Sequence, residues 1–196
     1  IRWGVCRQST SRLDQIYNDI CMELKDKQPR EFKIIIKDKL LQEIKNNVDD
    51  ESFKRNFSQR DFKPNEVRTK YILWKLSEPT GETTPNIKEI QIEHILPRTL
   101  GKEWIKYLKE KTSKNENEIS ILHNENLNRI GNLTIIKGEW NISMSNRLSI
   151  KKKEDYRKSE FQITKELSNY DEWTFEEIDK RSKQLAEKAC KIWRLK

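Results

Sequence analysis

One of the two histidines in this 196-residue chain has neighbours that could take part in chemistry with it. His94 directly follows Glu93 in a segment, residues 90–96, where apolar and polar side chains alternate. Such alternation predicts a β-strand, and Pro97 would end it. A neutral imidazole, with an ordinary pKa of about 6.5, is a usable general base at neutral pH. Carboxylate and carboxamide oxygens suit Mg²⁺ or Mn²⁺ as ligands.

Two asparagines further along the chain complete a possible site. Asn132 opens a second predicted strand, residues 133–136, and Asn141 follows at the start of a predicted helix. A strand with an acidic residue and a histidine, a second strand opened by asparagine, and a helix with another asparagine nine residues on resemble the pattern of HNH (ββα-metal) nucleases. Such enzymes hydrolyse phosphodiesters, which needs a base to deprotonate water and a cation to stabilise charge on the leaving oxygen. We therefore predict catalytic roles for His94, Asn132 and Asn141, with Glu93 and Asn141 as ligands of Mg²⁺ or Mn²⁺. Asn132 would brace the loop and orient His94 through a hydrogen bond.

The position of Glu93 beside His94 sets a geometric condition on this site. Consecutive residues of a regular strand point to opposite faces. Both side chains reach one site only if the end of the strand is irregular, which Pro97 would favour. The predicted role of Glu93 depends on that irregularity.

The chain is basic, with 40 Lys and Arg against 32 Asp and Glu, and part of the excess lies near the predicted site. Residues 137–158 hold seven Lys or Arg and three Asp or Glu. A polyanion fits this charge as a partner, whereas the alternative is an ordinary solvated helix face. Contacts with DNA phosphates are predicted for Arg98, Lys137, Arg147, Lys151 and Lys152.

The rest of the sequence predicts a helical scaffold around this unit. Pro79, Gly81 and Pro85 lie in a polar stretch, which predicts a boundary between a helical scaffold or docking region, residues 1–80, and a catalytic domain, residues 81–196. The predicted fold class is α+β, mainly α-helical: a helical bundle with an embedded ββα unit. Apolar spacing predicts helices over residues 11–26, 31–46, 50–58, 64–76, 100–111, 116–123 and 140–157, and a last helix from Thr174, which forms a capping box with Glu177.

Composition excludes several other classes of protein. The sequence contains no run of about 18 or more apolar residues, which a membrane-spanning helix would need, and no signal peptide is visible. Three cysteines without a CxxC pair predict reduced thiols in the cytoplasm rather than a zinc ribbon or a disulfide framework. Because the chain begins at Ile1 rather than Met, we expect it to be part of a longer protein.

Taken together, these motifs resemble one branch of the HNH (ββα-metal) nucleases. It is the domain at the C-terminus of GmrSD-type modification-dependent restriction enzymes, which also closes the phosphorothioate-linked phage-defence protein SspE. The resemblance extends from about Tyr71 to the C-terminus. Its most specific segments are residues 92–97, residues 128–134, Asn141, and the pair Ser145 and Asn146.

The resemblance implies a metal-dependent DNA endonuclease of a prokaryotic cytoplasm, which restricts phage or modified foreign DNA. It implies His94 as general base, Glu93 and Asn141 as metal ligands, Asn132 as support of the loop, and Asn146 as a further site residue. Double-stranded DNA would be the substrate, and an N-terminal NTPase-like or DNA-sensing domain would precede this one. Two alternatives stay open: a non-catalytic basic DNA-binding or interaction module of a defence complex, and an HNH nuclease that acts on RNA.

Overall fold

The computed structural model describes residues 1–6, 8–77, 88–137 and 147–195. Over these described ranges the fold is mainly helical with one pair of strands, which confirms the predicted α+β class. The strands are β1 (Ile90–His94) and β2 (Leu133–Lys137). The helices are α1 (Arg2–Val5), α2 (Thr10–Leu24), α3 (Pro29–Asn47), α4 (Asp50–Gln59), α5 (Val67–Leu76), α6 (Lys102–Thr112), α7 (Glu116–Asn126), α8 (Lys153–Arg157), α9 (Gln162–Lys165) and α10 (Phe175–Ile192), with short 3₁₀ segments at Ile130–Asn132, Ser149–Lys152 and Glu166–Asn169.

The two strands pair antiparallel along their whole length. His94 stands opposite Leu133, and Glu93 stands opposite Thr134. Residues directly opposite each other project from the same face of the sheet, and consecutive residues project from opposite faces. Because the register stays regular to the last residue of β1, Glu93 and His94 point to opposite faces.

The sheet lies between two hydrophobic clusters. Leu133 and Ile135 belong to the first cluster, which is formed mainly by α4, α5 and α10. Ile136 belongs to the second cluster, where Trp104 from α6 and Trp173 pack. Burial on both faces explains why β2 is nearly continuous in apolar and β-branched residues.

The first cluster joins residues from both sides of the predicted boundary. Phe57 and Leu73 precede residue 80, and Ile135 and Ala186 follow it, yet all four share this cluster. The predicted boundary itself falls within residues 78–87, outside the described residues. The division into residues 1–80 and 81–196 stays a prediction, and the first cluster contains residues from both regions.

The predicted helix bounds differ from the observed ones by up to three residues, and one predicted helix also differs in continuity. The described part of the helix predicted over residues 140–157 is not continuous, because Leu148, with φ −57° and ψ 140°, is extended and only the 3₁₀ segment and α8 follow it. Leu148 is buried in the second cluster, so tertiary packing outweighs the local helical pattern. The helix predicted from Pro64 begins at Val67. The capping box of Thr174 and Glu177 is confirmed.

None of the helices in the described ranges combines the length and the apolar character needed to cross a membrane.

Candidate active site

His94 occupies the last position of β1, with 6% of its surface exposed. Its Nε2 lies 3.0 Å from Oδ1 of Asn128. An amide oxygen only accepts hydrogen bonds, so this contact favours the neutral tautomer that has its proton on Nε2 and a lone pair on Nδ1. Among the residues described, none forms a hydrogen bond with Nδ1. In that tautomer, Nδ1 is the nitrogen that can accept a proton.

The surroundings of His94 favour its neutral form. Burial lowers the pKa of the imidazole below its ordinary value. The hydrogen bond with Asn128 acts in the other direction, and the positive charge of Arg98 adds to the lowering of the pKa. A ring with a lowered pKa stays unprotonated at neutral pH, which is the state that a general base requires.

Asn132 is fully buried, and its side chain bridges two chain segments. Oδ1 accepts a hydrogen bond from the backbone nitrogen of Leu96 at 2.7 Å. Nδ2 donates to the carbonyl of Leu96 at 3.0 Å and to the carbonyl of Leu127 at 2.9 Å. These three bonds fix the loop that follows β1, and the catalytic role of Asn132 stays a prediction.

The contact that orients His94 belongs to a different asparagine from the predicted one. The sequence assigns it to Asn132, but the structure gives it to Asn128. The polar side-chain atoms of Asn132 hydrogen-bond backbone groups. The hydrogen bond to the imidazole is made instead by Asn128, which lies in the same motif. The signal in the sequence is the place of Asn128 in that motif, but spacing alone does not tell which amide reaches the ring.

The second histidine has a structural role. His123 is buried on α7, and its Nε2 donates to the carbonyl of Pro97 at 2.8 Å. This bond holds the segment just after β1 from α7, whereas Asn132 holds it from the 3₁₀ segment before β2. The loop beside His94 is therefore fixed from two elements.

Helix α10 fixes the turn that leads into β2. The backbone nitrogen of Gly131 donates to Oγ of Ser182 at 3.0 Å. Arg181, which is buried, donates through Nη1 to the carbonyls of Gly131 and Leu133 at 2.6 and 2.9 Å. A Cβ on Gly131 would lie 2.1 Å from the carbonyl oxygen of Ile178, so only glycine allows α10 to approach this closely.

Glu93 forms a buried ion pair on the other face of the sheet. Its Oε1 lies 2.9 Å from Nζ of Lys152, whose side chain has no exposed surface, while the Glu93 side chain is 13% exposed. This corrects the prediction of Lys152 as a DNA contact, because a phosphate cannot reach a fully buried ammonium that already holds a carboxylate. The phenol of Tyr156 is also buried here, and no described residue hydrogen-bonds its Oη.

The described residues do not by themselves fit a divalent cation. Across the described ranges, no group of three or more His, Cys, Asp or Glu could hold a metal ion. Glu93 is the one predicted ligand among them, and the ammonium of Lys152 already balances its charge. Asn141 and the further candidate Asn146 lie outside the described residues. The geometry of the predicted metal site is thus defined at one ligand only.

Most of the basic residues predicted to contact DNA already have acidic partners at the surface. Exposed ion pairs of this kind contribute about 0–1 kcal/mol, so a phosphate can replace the carboxylate. Arg98 is exposed and forms no ion pair within the part of the chain described. Phosphate contact by these residues stays a prediction. The pairs are Lys137 with Glu160, Arg147 with Asp155, and Lys151 with Glu103.

The fold and the site together define a class: a mainly helical domain whose small antiparallel sheet ends in a buried histidine next to an asparagine-braced loop. The family model of the GmrSD restriction endonucleases, C-terminal domain, matches residues 47–188, and the chain belongs to this family of HNH-type endonuclease domains. The match includes both strands and every site residue considered above. It supports a nuclease role, with DNA as the substrate that such a domain implies. No curated protein and no solved structure matches the chain.

Proposed function

We propose that the chain is a metal-dependent HNH endonuclease, which nicks or cuts double-stranded DNA in the restriction of phage or modified foreign DNA. The observation that carries this proposal is the environment of His94. A buried imidazole with a lowered pKa, whose Nδ1 has no hydrogen-bond partner among the described residues, stands at the end of β1 in a chain of a restriction endonuclease family. That combination suits a general base better than a structural histidine.

In this proposal His94 takes a proton from the water that attacks the phosphorus atom. A positioned general base contributes about 10²- to 10⁴-fold to a rate. Asn132 and His123 act on the backbone, because their hydrogen bonds fix the loop at Leu96 and Pro97 that follows the base. The rigid loop keeps the imidazole in one place while the substrate approaches.

The proposal includes Mg²⁺ or Mn²⁺, which stabilises charge on the leaving oxygen when bound. Asn141 is a proposed ligand, and Asn146 is a further candidate. The other proposed ligand, Glu93, points to the face of the sheet opposite His94, so it can serve the same site only if the end of β1 changes conformation. Because Glu93 is paired with Lys152 in the structure, any cation that binds this carboxylate competes with the lysine.

The proposed setting follows from the family. We place the reaction in a prokaryotic cytoplasm, and we expect an N-terminal NTPase-like or DNA-sensing domain to decide which DNA is cut. On the substrate side, Arg98, Lys137, Arg147 and Lys151 are the proposed contacts with DNA phosphates, which would be independent of base sequence and sensitive to salt.

The test is cleavage of supercoiled plasmid with Mg²⁺ or Mn²⁺, with and without EDTA. The wild-type protein is expected to nick or linearise the plasmid only when the cation is present. As a control, the variant Asn124→Ala, which changes an exposed position of α7, should cleave the plasmid like the wild-type protein. Salt-sensitive DNA binding without cleavage would indicate a non-catalytic module, and cleavage of RNA alone would indicate an RNA nuclease.

A further inference from the structure

We propose that Asn128 is the positioning residue of His94, which fixes the ring tautomer and so determines that Nδ1 is the basic atom. The identity of the reaction rests on the proposed function above. The contact itself does not, because it is a hydrogen bond of 3.0 Å between two residues 34 positions apart.

The argument begins with the two tautomers of a neutral imidazole. In one, Nε2 carries the hydrogen and donates it to Oδ1 of Asn128. In the other, with the amide oriented as it is in the structure, the lone pair of Nε2 faces the lone pairs of that amide oxygen, and both atoms lose their partner in a site where His94 is 6% exposed. Burial makes an unpaired polar atom costly, so the first tautomer is strongly favoured.

The amide that makes this contact is itself held in place. The carbonyl of Asn128 accepts from the backbone nitrogen of Phe62 at 2.8 Å, and the next residue, Arg129, forms a β-bridge with Asp61. The bridge ties the residue that follows Asn128 to the segment that follows α4. Asn128 therefore does not depend on the loop after β1 for its position.

Arg129 strengthens this anchor. Its Nε donates to the carbonyl of Ser58 at 3.0 Å, and its Nη1 donates to Oδ1 of Asn126 at 3.1 Å. Its Nη2 pairs with Oδ1 of Asp179 on α10 at 2.6 Å. Contacts with three separate elements thus hold the backbone next to Asn128. The amide of Asn128 is therefore fixed in position when it hydrogen-bonds the imidazole.

Neighbouring polar groups do not duplicate the contact. The side chain of Asn132 hydrogen-bonds the backbone of Leu96 and Leu127, and Nε2 of His123 hydrogen-bonds the carbonyl of Pro97. In the described part of the chain, Asn128 alone hydrogen-bonds the ring of His94. Its removal should free the ring to change tautomer without a direct effect on DNA binding.

The first test reads the tautomer directly and needs no activity. Two-bond ¹H–¹⁵N NMR spectra of ¹⁵N-labelled protein, in EDTA at pH 8.5, distinguish the two neutral tautomers. The chain has two histidines, and His94→Gln assigns the signals. We expect wild-type His94 to hold its proton on Nε2, Asn128→Asp to keep that state because a carboxylate still accepts, and Asn128→Ala to show a mixture. A wild-type ring with its proton on Nδ1, or an unchanged tautomer in Asn128→Ala, would overturn the inference.

The second test separates positioning from binding. In single-turnover cleavage at pH 8.5, we expect Asn128→Ala to lower the maximal rate by about tenfold or more, with half-saturating DNA concentration within about twofold of the wild type. Asn128→Asp should restore most of the rate. A rate loss of equal size in both variants, or a loss confined to DNA affinity, contradicts positioning. A tautomer shift in Asn128→Ala supports this inference even if no form cleaves DNA, in which case the proposed function fails alone.

Discussion

Lys152 and Glu93 form an ion pair of 2.9 Å across 59 residues of sequence, and the lysine has no exposed surface. The pair places a positive charge beside the carboxylate that the sequence predicts as a metal ligand. Two buried charges offset each other's loss of hydration only while both are present. The structure therefore makes Lys152 part of the interior of the candidate site rather than of its DNA-contacting surface.

Replacement of the lysine alone should be costly. We expect Lys152→Met to lower the free energy of unfolding by about 3–5 kcal/mol, because it leaves the Glu93 carboxylate largely buried without a cation. The double variant Lys152→Met/Glu93→Gln should recover a large part of that loss. Urea denaturation measures both, with Lys151→Met at the exposed neighbouring position as control, expected within about 1 kcal/mol of the wild type. Equal losses in the single and double variants would show that the ion pair is not the cause.

Gly131, in the turn before β2, and Gly101, at the start of α6, offer a matched pair of substitutions. A Cβ on Gly131 would meet the backbone of α10, whereas a Cβ on Gly101 would meet nothing within 4 Å. We expect Gly131→Ala to lower the free energy of unfolding by about 1–3 kcal/mol or more, since a packed helix must shift. Gly101→Ala should change it by less than about 1 kcal/mol. Thermal and urea unfolding compare the two, and a Gly131→Ala protein as stable as Gly101→Ala would mean that α10 does not approach the turn as described.

The parts of this architecture that follow from local pattern were predictable from sequence. Alternation in residues 90–96 and the β-branched run after Asn132 identify the two strands, although β1 ends at His94 rather than at residue 96. The bracing role of Asn132 follows from its position at the start of the second strand. Each of these rests on neighbours in the chain.

Other features depend on contacts between distant segments and carry no local signal. The pairing of Lys152 with Glu93 requires that the segment after residue 147 fold back against β1. In the sequence, Lys152 lies in a run of basic residues, which is typical of a surface position. The extended backbone at Leu148 arises from burial in the second cluster and interrupts a helical pattern. The contact of His94 with Asn128 depends on the contacts of Arg129 with Ser58 of α4 and with Asp179 of α10.

The lowered pKa of His94 predicts a pH dependence of stability. Its pKa in the folded state lies below the unfolded value of about 6.5, so the folded protein resists protonation that the unfolded chain accepts. Stability that is fully present above pH 6.5 is therefore lost as the pH falls toward the folded pKa. Urea unfolding in EDTA between about pH 7.5 and 5.5 should show a larger loss for the wild type than for His94→Gln. An equal or larger loss in the variant would assign the pH dependence to other groups.

Arg98 gives a prediction about DNA affinity. It is exposed beside the candidate site and has no ion-pair partner among the described residues, so it can bind a phosphate without breaking a contact. We expect Arg98→Ala to weaken plasmid binding and to reduce the slope of log affinity against log salt by roughly 0.9, the value for one lost phosphate contact. Arg30→Ala on α3, outside residues 47–188, is the control and should leave the slope unchanged. A slope unaffected by Arg98→Ala would remove this residue from the DNA interface.

The most direct measurement of the central claim is the single-turnover cleavage rate of His94→Ala with saturating Mg²⁺ or Mn²⁺, with and without added imidazole. Loss of a general base predicts a rate about 10²- to 10⁴-fold below the wild type, with partial recovery when imidazole supplies the missing base. Cleavage by His94→Ala at the wild-type rate, in a protein that is folded and free of contaminating nuclease, would contradict the assignment of His94 as the base.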